Sequence, residues 1–514
     1  DSLKNNDDKN VNKKEVKKDV KKDVRKEKSS FLSKPVVKPE KTRKKRNVET
    51  NIISFIFIGV FFVMIIYSIF FTSSEAESIA ESPYNPRNAT DRAPDVRRGT
   101  IYANDGTVLA TTEVDEDGKE VRKYPEANLF SLVVGMSRGV GSGVEGGANT
   151  ELTTSTSKQE VEKTEGQTST EYYGDSVYTT LDPELQKAAY DALGDYHGAV
   201  VAVDTQTGEV LAMVSKPDFD PNEAGTKYNE WASISDENSV LINRASQGLY
   251  APGSTFKIVT ALEYVKEHPD DYKDYSYICE GTTSVPGGTQ VICYHRNVHG
   301  QEDLNKAFIN SCNCAFSDIG LKLDMERFRA TVESLGMNEA LPIEIESSKT
   351  RFDLDSSSSI SEIQETSFGQ GNLYMTPLQM AMITATIAND GIMMKPYLID
   401  KVVSSTGEIV KQNAPTVYKN GIADESEIAV VQSFMRNMVS QGAASVFGSA
   451  GYSVAGKTGT AQFSNDSELA HLWFTCYAPA NNPRIAVTCI VERSEVSTVV
   501  PERICKAVLD AYLD

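Results

Sequence analysis

The chain has 514 residues, with 52 Lys and Arg against 72 Asp and Glu, and a formal net charge of −20. This length accommodates two or three domains with a large buried core. Residues 1–50 carry a net charge of +9 and the remainder −29, so the acidic body excludes nucleic acid as its partner. A basic N-terminal segment followed by an acidic remainder indicates a protein that lies in two compartments.

The first 50 residues repeat short Lys- and Asp-rich units and hold too few apolar side chains to form a core. We therefore predict that residues 1–50 are a disordered basic tail. Residues 52–71 form a 20-residue run without charge, which is long enough to cross a bilayer as a helix. Basic residues precede this run and acidic residues follow it. The positive-inside tendency thus predicts a transmembrane helix over 51–72, with the tail in the cytoplasm and the rest of the chain outside.

Residues 73–175 are predicted to form a polar linker followed by a small α+β domain. Asp105 and Gly106 stand between two β-rich runs, a pattern that is typical of a hairpin turn. Residues 152–174 are rich in Ser, Thr, Glu and Gly, which predicts a loop.

Residues 176–514 form the largest predicted domain. Strand-like runs occur at both ends and helical runs between them, which favours an α/β or α+β domain whose sheet is closed by the two ends of the segment. The periodicity predicts strands at 177–181, 198–203, 209–215, 473–478 and 484–492, and helices at 183–193 and 501–513. After the first strands it predicts a mostly helical region that runs to about residue 400, with turn-rich insertions at 278–300 and 350–362.

Residues 250–257 (YAPGSTFK) predict a loop that runs into a helix, because Pro and Gly punctuate the stretch and apolar residues then recur at helical spacing. Lys257 lies three positions after Ser254, which on a helix places the two side chains together. A serine hydroxyl becomes nucleophilic when a neighbouring base takes its proton, and a lysine amine of depressed pKa can serve as that base. Ser155 and Lys158 have the same spacing, but no apolar periodicity follows them, so we interpret that pair as coincidence.

Two further motifs lie downstream. They are Ser311-Cys312-Asn313, in a stretch with an amphipathic helical pattern, and Lys457-Thr458-Gly459-Thr460, just before the last pair of strands. Taken singly, the first also fits helix capping and the second an ordinary strand with a turn glycine. Ser-x-x-Lys, Ser-x-Asn and Lys-Thr-Gly together, in this order, are the set that penicillin-binding proteins and class A β-lactamases share.

Further segments before, between and after these motifs also resemble penicillin-binding proteins. They are 98–106, 178–182, 198–204, 208–212, 217–222, 243–245, 368–371, 376–379 and 471–474. Over residues 97–514 the chain resembles a class B penicillin-binding protein, most specifically over 177–500. The resemblance implies an antiparallel sheet flanked by helices, an inserted helical subdomain and a short pedestal, held by one transmembrane helix in a bacterial cell membrane. The cysteine in the middle of Ser-x-Asn departs from the usual motif, and we expect it to be tolerated.

The resemblance also implies the reaction. The enzyme would be a serine D,D-transpeptidase that cross-links peptidoglycan stem peptides ending in D-Ala-D-Ala and is acylated by β-lactam antibiotics. Ser254 would attack the peptide carbonyl and release the last D-Ala, with Lys257 as the base. Ser311 would relay a proton to the leaving amine.

The remaining motif residues would bind the substrate. Asn313 would hold the substrate amide, and Lys457, Thr458 and Thr460 would bind the terminal carboxylate. Gly459 would let the substrate backbone approach closely. The backbone N–H groups of Ser254 and Thr460 would form an oxyanion hole. Because Lys457 is also a cation, it would favour the neutral form of the base.

Metal and cofactor sites are not predicted. The five histidines show neither HExxH nor paired cysteine spacing. Seven cysteines lie on the predicted outer side, where disulfides and free buried thiols are both open. Cys476 and Cys489 could face each other across a hairpin, whereas Cys312 and Cys314 are too close in sequence to pair comfortably.

Two other functions stay open. A β-lactam sensor or β-lactamase would use the same serine chemistry, although the short polar tail argues against a sensor and the pedestal against a hydrolase. A non-catalytic scaffold is disfavoured by the intact Ser254, Lys257 and Lys457. The segment between the membrane helix and residue 177 is too short for a glycosyltransferase domain, so we expect a membrane glycosyltransferase as a partner.

Overall fold

The computed structural model describes residues 41–74, 96–137, 142–157, 159–163, 167–235, 238–441, 445–462, 469–495 and 499–513. The chain separates into two compact units, Asp1–Ala76 and Glu77–Asp514.

The first unit contains one long helix, α1 (Lys41–Ser74). Its stretch Asn51–Phe70 has a mean hydropathy of 2.8 and no buried side chain, so by length and composition it can cross a membrane. The helix begins at Lys41, so the prediction of disorder is wrong for residues 41–50. Lys and Arg are good helix formers, and adding turns to an existing helix avoids the cost of nucleation. The rest of the predicted tail, and most of the predicted linker, lie outside the described residues.

The second unit begins with a small α+β region. Its elements are β1 (Val96–Arg97), β2 (Ile101–Tyr102), β3 (Val108–Val114), β4 (Glu120–Lys123), α2 (Ser131–Val134), α3 (Gly143–Gly147), α4 (Asn149–Thr153), β5 (Gln159–Lys163) and β6 (Gln167–Tyr173). The predicted turn at Asp105 and Gly106 is confirmed, since it joins the antiparallel strands β2 and β3. The predicted loop over 152–174 is wrong, because β5 and β6 pair there as a hairpin. Thr and Tyr in β6 favour an extended backbone, and β6 also pairs with β1.

The larger region follows in chain order. Its first elements are β7 (Ser176–Thr179), α5 (Pro183–Leu193), β8 (Gly198–Asp204), β9 (Val210–Lys216), α6 (Ala224–Trp231), α7 (Lys257–Glu267), β10 (Tyr277–Cys279), β11 (Thr282–Ser284), β12 (Gln290–Ile292), β13 (Gly300–Glu302), α8 (Leu304–Ile309), α9 (Asn313–Gly320) and α10 (Met325–Ser334). Its last elements are α11 (Ile360–Ser367), α12 (Pro377–Ala388), β14 (Met393–Met394), β15 (Ile399–Val403), β16 (Ile409–Gln412), β17 (Val417–Lys419), α13 (Glu425–Gln441), β18 (Ala455–Ala461), β19 (Leu469–Ala478), β20 (Ile485–Glu495) and α14 (Val500–Leu513).

A five-stranded antiparallel sheet, ordered β18-β19-β20-β8-β9, forms the centre of this region. The C-terminal strand β20 pairs with β8, so the prediction that both ends of the segment close one sheet is confirmed. Helix α12 packs on one face, where Thr384 and Thr475 share a hydrogen bond of 2.5 Å between their hydroxyls. Helices α5 and α14 pack against each other, and they also pack against β9 and β20 of the sheet. Strands buried on both faces explain the continuous apolar runs in the sequence.

The small and large regions share a second sheet, ordered β16-β15-β7-β2-β3-β4. Beside it a buried carboxylate joins distant parts of the small region. Glu145 accepts hydrogen bonds of 2.6 Å from Nε of both Arg98 and Arg122, and the Tyr124 hydroxyl donates to it at 3.1 Å. Burial alone would raise the pKa of Glu145, but the two guanidinium groups hold it below the usual range.

We predict that Glu145→Gln lowers the free energy of unfolding by about 3–5 kcal/mol, because it leaves two buried guanidinium groups without their counter-charge. Chemical denaturation of the full chain measures this loss. Glu113→Gln, at an exposed position on β3, is the control and should change stability little. Equal effects of the two substitutions would contradict a structural role for this cluster.

Candidate active site

Ser254 lies in a tight helical turn, Gly253–Phe256, that leads directly into α7. The prediction that it stands at a helix N-terminus is therefore confirmed. Its side chain is half-buried, whereas Lys257, at the first position of α7, is completely buried. The turn packs against β18, where Gly459 makes the close approach possible. A Cβ on that glycine would lie 2.8 Å from the Pro252 carbonyl oxygen, which is nearer than such atoms come in proteins.

The amine of Lys257 is held by the Ser311–Asn313 motif. Its Nζ donates to the Ser311 carbonyl oxygen at 2.6 Å, to Asn313 Oδ1 at 2.8 Å and to Ser311 Oγ at 3.3 Å. Burial lowers the pKa of Lys257 to about 8, because a charged ammonium loses its hydration in the interior. A measurable fraction of this lysine is therefore neutral near physiological pH.

Lys457 reaches the same hydroxyl from the sheet. Its Nζ donates to Ser311 Oγ at 2.9 Å and to the Thr458 carbonyl oxygen at 3.1 Å. Burial, and then the nearby charge of Lys257, hold the pKa of Lys457 well below its usual range. Two amines that share one hydroxyl in the interior repel each other when both are protonated, which favours states with one positive charge.

Ser311 and Asn313 lie at the junction of two short helices, α8 and α9, rather than within one helix. Ser311 has a φ of +52°, a left-handed conformation that is uncommon for a residue with a side chain. Asn313 donates through Nδ2 to the Ile292 carbonyl oxygen at 3.0 Å, which leaves its Oδ1 facing the Lys257 amine. The surrounding contacts therefore fix the orientation of this amide.

The Lys457–Thr460 motif lies on β18, which pairs with β19 and is an edge of the five-stranded sheet. Thr458 and Thr460 are half-buried and Gly459 is buried. The other edge of the strand faces the Ser254 turn, where a Cβ on Gly253 would lie 2.5 Å from the Thr460 carbonyl oxygen. The backbones of Ser254 and Thr460 are thus close neighbours, and all three sequence motifs meet in one region.

The loop at 368–371 supports the nucleophile turn. The Gly253 N–H donates to the Gly369 carbonyl oxygen at 2.9 Å, and Gln370 Nε2 donates to the Thr460 carbonyl oxygen at 3.4 Å. A Cβ on Gly369 would lie 1.8 Å from the Gly253 carbonyl oxygen, so a side chain at this position would displace the turn.

A second group of supporting residues has no role assigned from the sequence. Trp473 Nε1 donates to the Ala251 carbonyl oxygen at 3.1 Å. Tyr250 packs edge-on against Trp473 and donates its hydroxyl to Glu492, which also pairs with Arg244. The segments that carry Arg244 and Trp473 match the family flanks, but their spacing alone does not predict this network.

All seven cysteines are buried and free, so the structure favours thiols over disulfides. Cys476 and Cys489 are not opposite each other, because their partners across the β19–β20 pair are Val487 and Phe474. Three other cysteines and a histidine, however, converge behind the Ser311 turn: Cys279, Cys293, His299 and Cys312 have ligand atoms within 4.8 Å of one another. The sequence does not predict this group, because its members come from separate elements and show none of the spacings typical of metal sites.

The arrangement of these residues is typical of enzymes that transfer acyl groups through a serine. A half-buried serine at a helix N-terminus, a buried lysine of lowered pKa one turn later and a second buried lysine form a set that can provide a nucleophile and the proton transfers of acyl transfer.

The comparisons then identify the family. Residues 198–510 match the penicillin binding protein transpeptidase domain, and residues 98–177 match the penicillin binding protein A dimerisation domain. The chain is 29% identical to the peptidoglycan D,D-transpeptidase PbpA of Mycolicibacterium smegmatis, over 81% of this chain and 88% of that protein. Its identity to PbpA of Mycobacterium tuberculosis is 32%, over 66% of this chain and 73% of that protein.

Solved structures agree. The D,D-transpeptidase domain of a peptidoglycan glycosyltransferase from Eggerthella lenta is 31% identical with a TM-score of 0.72, covering 82% of this chain and 98% of that chain. The imipenem acyl-enzyme complex of penicillin-binding protein A from M. tuberculosis is 26% identical with a TM-score of 0.73, covering 82% and 99%. This chain therefore belongs to the penicillin-binding protein transpeptidase family and is a class B member.

We predict that the rate of acylation by a penicillin rises with pH and is half-maximal near pH 8, the pKa of Lys257, because only the neutral amine accepts a proton. Stopped-flow measurement with a fluorescent penicillin gives this profile. Lys257→Ala should remove the rise and slow acylation about 10²–10⁴-fold. Lys227→Ala, an exposed lysine, is the control and should keep the rise; a flat profile in the unaltered protein would contradict the base role.

Proposed function

We propose that this protein is a membrane-anchored serine D,D-transpeptidase that cross-links peptidoglycan stem peptides through an acyl-enzyme on Ser254. The observation that carries the proposal is the convergence of Lys257, Ser311 and Lys457, with Ser311 Oγ 3.3 Å from one amine and 2.9 Å from the other. In this arrangement the amine one turn after Ser254 can take the proton of that serine, and the Ser311 hydroxyl between the two amines can pass a proton to a leaving group, as acyl transfer to and from a peptide requires.

The acylation step uses each group once. Neutral Lys257 takes the Ser254 proton as Oγ attacks the carbonyl carbon of the penultimate D-Ala. The backbone N–H groups of Ser254 and Thr460 stabilise the tetrahedral oxyanion. As the C–N bond breaks, a proton passes through the Ser311 hydroxyl to the amine of the departing D-Ala. An amine of a neighbouring stem peptide then attacks the ester, gives up its proton by the reverse route and releases Ser254.

Substrate binding follows from the groups around the serine. Lys457, Thr458 and Thr460 bind the terminal carboxylate along the edge of β18 beside the Ser254 turn, and Gly459 allows that turn to come close to the strand. Asn313 already uses one N–H and one lone pair within the protein. An amide has two of each, so one N–H and one lone pair are left for the substrate amide.

β-Lactam antibiotics are the second class of ligand. One similar solved structure, penicillin-binding protein A from M. tuberculosis, is an imipenem acyl-enzyme complex, and a β-lactam carbonyl presents the same electrophile as the peptide. We infer that Ser254 of this chain forms the corresponding ester.

The location completes the proposal. Helix α1 is long and apolar enough to be the anchor in a bacterial cell membrane. The basic residues before Asn51 favour a cytoplasmic N-terminus, with the enzyme domain outside. Cross-linking needs newly made glycan strands, so a membrane glycosyltransferase is the proposed partner. The reaction needs no cofactor, since the side chains supply every proton transfer.

We predict that Ser254→Ala abolishes covalent labelling by a fluorescent penicillin, because the ester cannot form. Gel fluorescence after denaturation measures the label. Ser155→Ala is a matched control, since that serine also precedes a lysine by three positions, and it should label normally. Undiminished labelling of Ser254→Ala would overturn the assignment of the nucleophile.

We also predict that a stem-peptide substrate ending in D-Ala-D-Ala is turned over faster when an acceptor amine is added, and that the joined product contains the acceptor. Mass spectrometry separates this product from the hydrolysed peptide. Rapid hydrolysis of a β-lactam, with no joined product, would instead support the β-lactamase alternative.

A further inference from the structure

The cluster of Cys279, Cys293, His299 and Cys312 takes no part in the proposed acyl transfer. Cys279 and Cys312 are 0% exposed and Cys293 is 1% exposed, whereas His299 is half-buried. Buried polarizable sulfurs can simply pack as small apolar groups. The geometry and surroundings of this cluster, however, are those of a metal-ion site.

The distances match the edges of a coordination tetrahedron. With metal–sulfur bonds of about 2.3 Å and metal–nitrogen bonds of about 2.0 Å, sulfurs lie about 3.8 Å apart, and sulfur and nitrogen about 3.5 Å apart. Cys293 Sγ lies 3.7 Å from Cys279 Sγ and 3.7 Å from Cys312 Sγ. His299 Nδ1 lies 3.4 Å from Cys279 Sγ. One ion can therefore contact all four side chains with little movement.

Backbone N–H groups already face two of the sulfurs. The Gly281 N–H donates to Cys279 Sγ at 3.4 Å, and the Ala315 N–H donates to Cys312 Sγ at 3.4 Å. A neutral thiol is a weak acceptor, whereas a metal-bound thiolate is negatively charged and gains from such donors. These contacts are the outer shell that a thiolate–metal site requires.

Three of the four side chains lie in or beside very short strands, which a cross-link would stabilise. Cys279 ends β10, Cys293 follows β12 and His299 precedes β13, in two separate two-stranded sheets of three-residue strands. Isolated two-stranded hairpins are marginally stable. The loop between Cys293 and His299 also holds two consecutive non-glycine residues at positive φ, 50° and 56°, a conformation that persists only when its surroundings fix it.

We propose that Cys279, Cys293, His299 and Cys312 bind one structural zinc ion. Three sulfur ligands and one imidazole in a tetrahedral arrangement select zinc among the common divalent ions. On binding, the three thiols each release a proton, and three Zn–S bonds and one Zn–N bond form. The four protein ligands complete the tetrahedron, so the ion is structural and takes no substrate.

The zinc ion would act on the active site through Cys312. This residue lies between Ser311 and Asn313, so a metal bond to its sulfur fixes the turn that holds both residues against Lys257. It also stabilises the left-handed backbone of Ser311. The binding of zinc does not depend on the proposed function, but its effect on acylation rests on it.

Metal content tests the site directly. We expect the full chain, purified in detergent without chelators, to contain about one zinc per chain by plasma mass spectrometry, as a closed four-ligand site binds tightly. Cys279→Ser and His299→Ala should lose it, while His299→Cys, which keeps a ligand at that position, should retain it. Cys314→Ser is the matched control, since its sulfur lies only 3.5 Å from Cys293 Sγ but outside the group of four.

Other results would overturn the proposal. A metal-free protein with a disulfide among these cysteines, found by non-reducing peptide mapping, would replace zinc with a covalent bridge. Iron in place of zinc, or loss of zinc in Cys314→Ser with retention in His299→Ala, would contradict the assigned metal or ligand set.

The effect on catalysis is measured separately. Removal of zinc by a chelator should slow penicillin acylation at least about 10-fold, as disturbed outer-shell support does elsewhere, and added zinc, but not magnesium, should restore the rate. An unchanged rate in metal-free protein would overturn the link to Ser311. If the protein carries zinc but takes no penicillin label at all, the proposed function fails while the metal site stands.

Discussion

The site depends on the burial of two lysine amines beside one serine hydroxyl. Lys257 and Lys457 are both completely buried, and neither has a carboxylate among its described hydrogen-bond partners. Holding a charged ammonium there is costly, so the fold lowers the pKa of both amines. A buried amine of lowered pKa can accept a proton near neutral pH, which an amine exposed to water does not do.

The rest of the region holds these amines in place by steric constraint. The nucleophile turn is confined between β18 and the loop that carries Gly369, and in each contact a glycine stands where a methyl group would collide with backbone. Trp473 and Tyr250 close the turn from a third side. Rigid backbone surfaces thus keep the serine aligned with the strand edge, so little reorganisation is needed when a substrate binds.

Much of this architecture is encoded locally and could be predicted. Helix α5 has an aspartate N-cap and proline at its start, and the buried strands of the central sheet have unbroken apolar runs. The hairpin of β5 and β6 was missed because its composition is that of a loop and its pairing depends on β1, which is distant in sequence. The group around Cys293 was missed for a similar reason, since its members come from separate elements that only tertiary folding brings together. Helix α1 begins before the predicted membrane span, because composition does not show how far a helix extends beyond its apolar stretch.

The order of strands in the central sheet has a consequence for biosynthesis. Strands β8 and β9 precede Ser254 in the chain, whereas β18, β19 and β20 follow it by many residues. A growing polypeptide therefore carries Ser254 and Lys257 long before it has the strand edge and second amine that complete their surroundings. The surroundings of Ser254 are therefore complete only after β18, β19 and β20 have been translated and have joined the sheet.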